Sequence, residues 1–295
     1  MSKFSFGSDP EFMIVDSDGK HKSAIGIVYG SKEDKVSLGN GHYAFYDNVL
    51  AEVNIKSSNN KKGVLKNFGD CFNRLTKLVG NNTVVPQASH TYDIAECQHP
   101  DAQLFGCEPE FCIYLKDENG RIQRMDPPII DPQNPFRTGG GHIHIGHEIC
   151  LPWDAGKPVD VVQMLDVFVG VPSVCMDHDP TSAARRQLYG GAGTHRIKQE
   201  YGLEYRSLSN FWLASPVLVS IVFDLVDFVL DLVESGKYDA PDQKLIRETI
   251  NSGNREQATA VLKSYKSKMP TDIYQEIQRL SKPVQFDFYK EWDIS

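Results

Sequence analysis

FGSDPEFMIVDSDG, Phe6 to Gly19, sets two acids, Asp9 and Glu11, one residue apart inside an apolar run. Nearly the same phrase returns as FGCEPEFCIYLKDENG, Phe105 to Gly120, with Glu108 and Glu110 in the matching places. The runs after Glu11 and Glu110 are β-prone, and both end in turn chemistry, Asp18-Gly19 and Asn119-Gly120. Each stretch therefore predicts a hairpin. Side chains alternate along a strand, so residues i and i+2 share a face. Asp9 and Glu11 then point one way, as do Glu108 and Glu110. Two carboxylates so close repel unless something positive lies between them, and a divalent cation is the common solution. The plainer reading is a solvated strand end, with Pro10 and Pro109 marking an edge.

The rest of the 295-residue chain divides into a β-rich part, 1–157, and a helix-rich part, 158–295. No clear linker separates them, which predicts a single composite α+β domain. KKGVLKNFGDCFNRLTKLVG, 61–80, has the apolar spacing of an amphipathic helix closed by Gly80. Further helices are expected after Pro158, at about 209–235, and near 241–251, 254–267 and 270–281. SLSNFWLASPVLVSIVF, Ser207 to Phe223, carries no charge, but Asp224, Asp227 and Asp231 follow on one helical face. That pattern predicts a core helix with one wet stripe, not a membrane span.

A net charge of −8 argues against a general nucleic-acid binder. The six cysteines fit neither a zinc knuckle nor a disulfide scaffold. The N-terminal stretch has no apolar signal core, so the cytoplasm is expected.

Two further stretches carry chemistry. In TGGGHIHIGHEIC, Thr138 to Cys150, His142 and His144 again stand at i and i+2, and three glycines let backbone approach something closely. His142, His144 and Glu148 match a cupin's H-x-H-x3-E, but Phe136 stands where a glycine is expected and no second half-motif follows. A metal-dependent amidohydrolase barrel would place HxH on its first strand, whereas here it falls midway along the chain. In ARRQLYGGAGTHRIKQEYGLEYRSLSN, Ala184 to Asn210, Arg185, Arg186, Arg196 and Arg206 surround a glycine loop, Gly190 to Gly193, that can cover a phosphate. Glu204 and Arg206 share a strand face. The bland counterpart is a salt-bridged surface turn. No P-loop or dinucleotide fingerprint is present.

GSDPEF, YDNVLAEVN, FGCEPEF, GGGHIHIG and RRQLYGGAGTHR with YGLEYRSLSNFW occur in one order between residues 6 and 212. This ordered set resembles the glutamine synthetase and glutamate–cysteine ligase superfamily, and most nearly its bacteriophage-type carboxylate–amine ligases, the type 2 amidoligases. The helices beyond residue 236 add nothing to the likeness. The resemblance implies a glutamine synthetase-like catalytic fold: a curved, mainly antiparallel sheet backed by helices. It also implies an ATP-dependent amide- or peptide-forming ligase that works through an acyl phosphate with Mg²⁺, Mn²⁺ being the substitute metal.

By the same resemblance, Asp9, Glu11, Glu52, His142 and Glu204 are metal ligands. His144, with Arg185, Arg186, Arg196, Gly191 and Gly193, faces the ATP phosphates. Glu11, Arg206, Arg186 and Asp47 serve the reaction, Asp47 as another metal ligand or a contact to the amine. Glu108, Glu110 and Asn48 serve the substrates, although Glu108 and Glu110 have no clean counterpart in glutamine synthetase and a further metal is their alternative role. The implied partners are small-molecule or peptide carboxylates and amines, with no nucleic acid and no membrane. The compartment is the cytoplasm, the host's if the gene is a phage's. Oligomeric state stays open. Two other functions compete: a non-catalytic binding or structural protein retaining the fold, and a metal-dependent hydrolase.

Overall fold

The computed structural model describes residues 4–103, 110–126, 131, 133–152 and 156–294. Its strands, in chain order, are β1 Ser5–Ser8, β2 Glu11–Val15, β3 His21–Lys22, β4 Val36–Gly39, β5 His42–Asp47, β6 Leu50–Ser58, β7 Thr83–Val85, β8 Ser89–Thr91, β9 Glu110–Lys116, β10 Ile122–Met125, β11 Phe136–Thr138, β12 Ile143–Gly146, β13 Thr194–Lys198 and β14 Gly202–Tyr205. The helices are α1 Lys61–Leu78, α2 Pro158–Leu165, α3 Val171–Met176, α4 Ser182–Leu188, α5 Pro216–Ser235, α6 Gln243–Ser252, α7 Arg255–Ser264, α8 Thr271–Leu280 and α9 Phe288–Glu291. A π-helical stretch, Asp166–Gly170, joins α2 to α3.

Among the described residues, twelve strands form one antiparallel sheet in the order β10-β9-β13-β14-β12-β1-β6-β2-β3. β5 adds to β6, β4 to β5, and β7 to β2; β8 and β11 pair separately. The fold is α+β, as expected, with a large antiparallel sheet. The expected first hairpin is β2–β3 and the second is β9–β10. Gly19 and Gly120 take the left-handed φ of +78° and +74° that each turn requires.

Alternation along β1 and β2 explains how the sheet is covered. Phe6 packs against Phe68 of α1, Phe223 of α5 and Trp212, with ring centroids 5.6 to 6.4 Å apart. Phe12 does the same with Phe72 of α1 and Phe288 of α9. Core residues from Phe4 to Trp292 join one apolar cluster, so strands of the first part and helices of the second share it. The odd-numbered acids Asp9 and Glu11 are left on the other face. Pro10 does not mark an edge: β1 lies between β12 and β6, and Pro10 only interrupts the passage from β1 to β2.

The helix at 61–80 begins at an Asn60 cap and ends at Val79, just before Gly80 at φ +65°. The long helix starts at Pro216, later than the sequence pattern, because Asn210–Ala214 forms a 3-10 turn capped by Ser209 and Ser215 caps the helix proper. Pro158–Met176, not Ser207–Phe223, is long and apolar enough to cross a membrane, and 83% of its apolar window is buried inside the protein. The five described cysteines are buried and unpaired.

Candidate active site

Strand register brings the site together. His144 of β12 stands opposite Glu204 of β14, Glu204 opposite Arg196 of β13, and His144 opposite Gly7 of β1. Glu11 of β2 stands opposite Glu52 of β6. Directly opposed residues hold their side chains about 5 Å apart. Residues of seven strands thus line one cavity of about 390 Å³, whose walls include Asp9, Glu11, Asp47, Glu52, His142, His144, Glu204 and Arg206. Asp9 and Glu204 are 195 positions apart in the chain.

Two groups of ligand atoms each lie within 4.8 Å of one another: Asp9 with His144 and Glu204, and Glu11 with Asp47 and Glu52. The expected metal ligands are therefore brought together, with Asp47 in the second group, one of the two roles the resemblance offered it, and with one difference. In the first group, His144 is the member, whereas the resemblance implied His142. His142 is adjacent, with Nδ1 3.3 Å from Asp9 and 3.6 Å from Glu204. Its ring presses on the backbone of Gly140, where a Cβ would meet Nε2 at 2.6 Å.

The electrostatics match a site built for cations. Burial, with the charge of Asp47, lifts the Glu11 carboxyl to about 7. Burial and the charges of Asp9, Asp47 and Glu11 push Glu52 well above the ordinary range. Burial and Asp9 also raise Glu204, against the pull of His144, Arg196 and Lys198. Burial alone would raise Asp9, but His144 and His142 hold it well below the usual value. His142 is depressed to about 3 by burial and by Arg206. Asp9 Oδ1 lies 3.1 Å from His144 Nε2 and 3.3 Å from His142 Nδ1, and His142 Nε2 is buried with no hydrogen-bond partner among the described residues. Buried donors and acceptors rarely stay unsatisfied. Hard oxygen ligands with one histidine suit Mg²⁺ or Mn²⁺, so the donor set fits the implied metal.

The glycines of TGGGH have a specific use. Gly140 N donates to Glu11 Oε2 at 2.7 Å, fixing that carboxylate. A Cβ on Gly139 or Gly141 would come within 2.9 Å of Asn210 Nδ2 or 2.6 Å of Trp212 Nε1.

The four arginines separate. Arg196 and Arg206 line the main cavity and both pair with Glu204. Arg206 Nε also donates to Glu110 Oε2 at 2.7 Å. Arg185 is fully buried behind the glycine loop, donating to the Gly139 carbonyl at 2.8 Å, and burial lowers it to about 10. Arg186 lines a second cavity, with Asp177 at 3.6 Å.

The glycine loop is held rather than open. Asn251 accepts from Ala192 N at 2.7 Å, and the Gly191 carbonyl accepts from Ser207 and Thr194 hydroxyls at 2.9 and 2.8 Å. Gly190 and Gly193 serve the turn itself, at φ +70° and +75°, and the Arg185 guanidinium fills the space a Gly190 Cβ would need. Gly191 faces the second cavity.

Asn48, at φ +56°, is tied to Arg137 Nε at 2.7 Å and to the Ala102 carbonyl at 2.8 Å, beside a small pocket shared with Glu11, Asp47 and Tyr189. Glu108 lies outside the described residues.

Sequence reading missed Lys32, Lys35, Lys198 and Tyr201 on the main cavity, and Arg137 and Tyr189 beside it. Lys198 was findable, since it stands two residues after Arg196 on one strand face. Tyr189 was not, because its role comes from its position against the Arg185 and Arg206 guanidiniums, 5.5 and 5.1 Å from its ring centre.

Residues 131–291 match the family described as Phage phiEco32-like COOH.NH2 ligase-type 2, over more than half of the chain, and the chain belongs to that family. That family is described as one of carboxylate–amine ligases, the class that the sequence led one to expect. The match includes the helices beyond residue 236, which add nothing to the motif likeness, and begins after both acid pairs. No curated protein matches the chain. Among solved structures, a bifunctional glutathione synthetase from Pasteurella multocida is similar at TM-score 0.50 and 12% identity, over 98% of this chain and 48% of that one. The chain thus spans about half the length of that structure, and the likeness concerns fold alone.

Proposed function

We propose that the chain is an ATP- and Mg²⁺-dependent ligase, a single catalytic domain of glutamine synthetase-like fold, that activates a carboxylate as its acyl phosphate and transfers the acyl group to an amine. One observation carries this reading. Two donor groups, Asp9–His144–Glu204 and Glu11–Asp47–Glu52, line the same cavity as Lys32, Lys35, Arg196, Lys198 and Arg206. Acids for cations and cations for phosphates thus share one space.

Mg²⁺ bound by those two groups would neutralise phosphate charge and favour ADP as the leaving group. The chain's own residues do the rest. Arg196 and Lys198 are placed to contact the phosphate tail, with charge-assisted hydrogen bonds that outweigh neutral ones. Arg206, fixed by Glu204 and Glu110, stabilises the charge of the transferring phosphoryl group. The Gly140 amide keeps the Glu11 carboxylate aimed into the cavity. Asp47 takes the proton that the amine must lose before it attacks, since Glu110 is engaged by Arg206. The buried face limits water, which protects an acyl phosphate from hydrolysis.

The test is condensation of a panel of carboxylates and amines with ATP and Mg²⁺, followed by nucleotide analysis and mass spectrometry. ADP and phosphate should appear only when both substrates are present, apart from slow leakage. AMP as product, or hydrolysis indifferent to the amine, would overturn the reading.

A further inference from the structure

A second cavity, of about 400 Å³, lies between the β9–β10 hairpin, the end of α4 and helix α6. It adjoins the reaction site. Glu110 lines it and accepts from Arg206, which lines the main cavity. Tyr189 also lines it, while its ring faces Arg206 and lies 5.8 Å from that of His142.

Its charges are unequally spent. Arg247 of α6 is half-buried and makes no ion pair or hydrogen bond with any described residue. Arg186 is 9% exposed, and its Nε is buried without a hydrogen-bond partner among the described residues. The acid nearest Arg186, Asp177, already accepts from the Ser182 and Ser209 hydroxyls at 2.6 and 2.9 Å. Of the cavity's own acids, Glu110 is taken by Arg206, and Asp126 is an exposed rim residue 3.5 Å from Arg124. The unspent charge is therefore positive. The wall also carries the apolar side chains of Leu115, Met125 and Leu188, beside the uncharged polar groups of Gln187, Thr194 and Asn251.

We propose that this cavity holds the far end of the acyl substrate, and that the substrate is an elongated dicarboxylate: one carboxylate reacts beside Arg206 and Tyr189, an apolar middle lies on Leu115, Met125 and Leu188, and the second carboxylate is held by Arg186 and Arg247. Guanidinium groups suit such a carboxylate because they bind it through paired hydrogen bonds. An amine would find both acids engaged or exposed, so the carboxylate partner is favoured here. The proposal rests on the ligase reading for the reacting end, and assigns the helical C-terminal part a share in selecting the substrate.

Two measurements keep proposal and reading separate. The first is calorimetric binding, without nucleotide, of glutarate, adipate and suberate against pentanoate, hexanoate and octanoate. At least one diacid should bind ten-fold or more tightly than the monoacid of its length. Arg247→Ala should remove that advantage and leave monoacid binding unchanged, and Arg247→Lys should restore part of it. The second is turnover with ATP, Mg²⁺ and hydroxylamine, whose nitrogen attacks the acyl phosphate to release phosphate and give a hydroxamate. The same diacid should show the lower KM, lost in Arg247→Ala, with kcat for monoacids unaltered.

Hydroxamate without a diacid preference would overturn the proposal and leave the ligase reading standing. An Arg247-dependent diacid preference without hydroxamate or ADP would do the reverse. A diacid preference indifferent to Arg247→Ala, tighter binding of 1,6-diaminohexane than of any acid, or no binding of any acid would each overturn the proposal.

Discussion

In the first acid hairpin, Asp16 Oδ1 accepts from the amides of Asp18 and Lys20, both at 2.9 Å. In the second, Asp117 Oδ1 accepts from those of Asn119 and Arg121, both at 2.8 Å. Each turn then closes through a glycine three residues on, Gly19 or Gly120, with positive φ. The two hairpins are one local solution used twice, and their surroundings make them different chemically. β2 lies inside the sheet, hydrogen-bonded to β6, β3 and β7, and its first four residues are buried. β9 carries only β10 beyond it at the sheet's end, and Glu110 is half-buried. Glu11 faces Asp47 and Glu52, acids like itself, whereas Glu110 meets a guanidinium. The same acid at the same place in the same hairpin is thus a charge awaiting a cation in one case and half of an ion pair in the other.

The largest effect should come from Glu11→Gln, which keeps shape and the Gly140 hydrogen bond but removes a charge. Turnover should fall by about 10²- to 10³-fold, the scale seen when one preorganised charge contact is lost. Thermal unfolding should show an intact fold. A fall no larger than that of Glu110→Gln would break the contrast between the hairpins.

The second test is pH. Glu11 is raised from 4.5 to about 7, so the folded protein binds more protons than the unfolded chain in that interval. Stability of the metal-free protein should therefore decline as pH rises through it, by about 3 kcal/mol from this group alone. Millimolar Mg²⁺ should restore the loss at pH 8 and do little at pH 5, because metal and proton compete for the same oxygens. Denaturant melts at both pH values, with and without Mg²⁺, measure it. Equal stabilisation by Mg²⁺ at both would argue that the acid groups do not bind it.

Glu110→Gln comes third. It weakens a charge-assisted hydrogen bond to a buried arginine that Glu204 still holds, a loss of about 1.5 to 3 kcal/mol. Both stability and turnover should move. A change in turnover without one in stability would mean that Glu110 touches substrate directly instead of steadying Arg206.

The smallest effect sharpens the likeness rather than the difference. Gly19→Ala and Gly120→Ala place a Cβ in open space at nearly the same positive φ, so only backbone strain is added. Each should cost about 1 kcal/mol in urea unfolding. Unequal costs would show that the turns are less alike than their hydrogen bonds.

Features that depend on neighbours a few residues away are legible in the order of residues. That order fixed both hairpins through Asp18-Gly19 and Asn119-Gly120, the Asn60-capped helix α1, the α+β class, and the residue types gathered at the site. Side-chain alternation and turn hydrogen bonds act over two to four residues, so they are legible in order along the chain. The tertiary structure alone decided that His144, not His142, completes the Asp9–Glu204 group, that Asp47 joins Glu11 and Glu52, that Arg186 leaves the main cavity, and that Arg247 of a distant helix lines a second one. It also decided that the glycine loop is pinned by Asn251 and Ser207. These outcomes follow from which strands become neighbours and how much water is excluded between them. A carboxylate's charge state is set by desolvation and by charges a few ångströms away in space, and those neighbours can be separated by nearly two hundred positions in the chain.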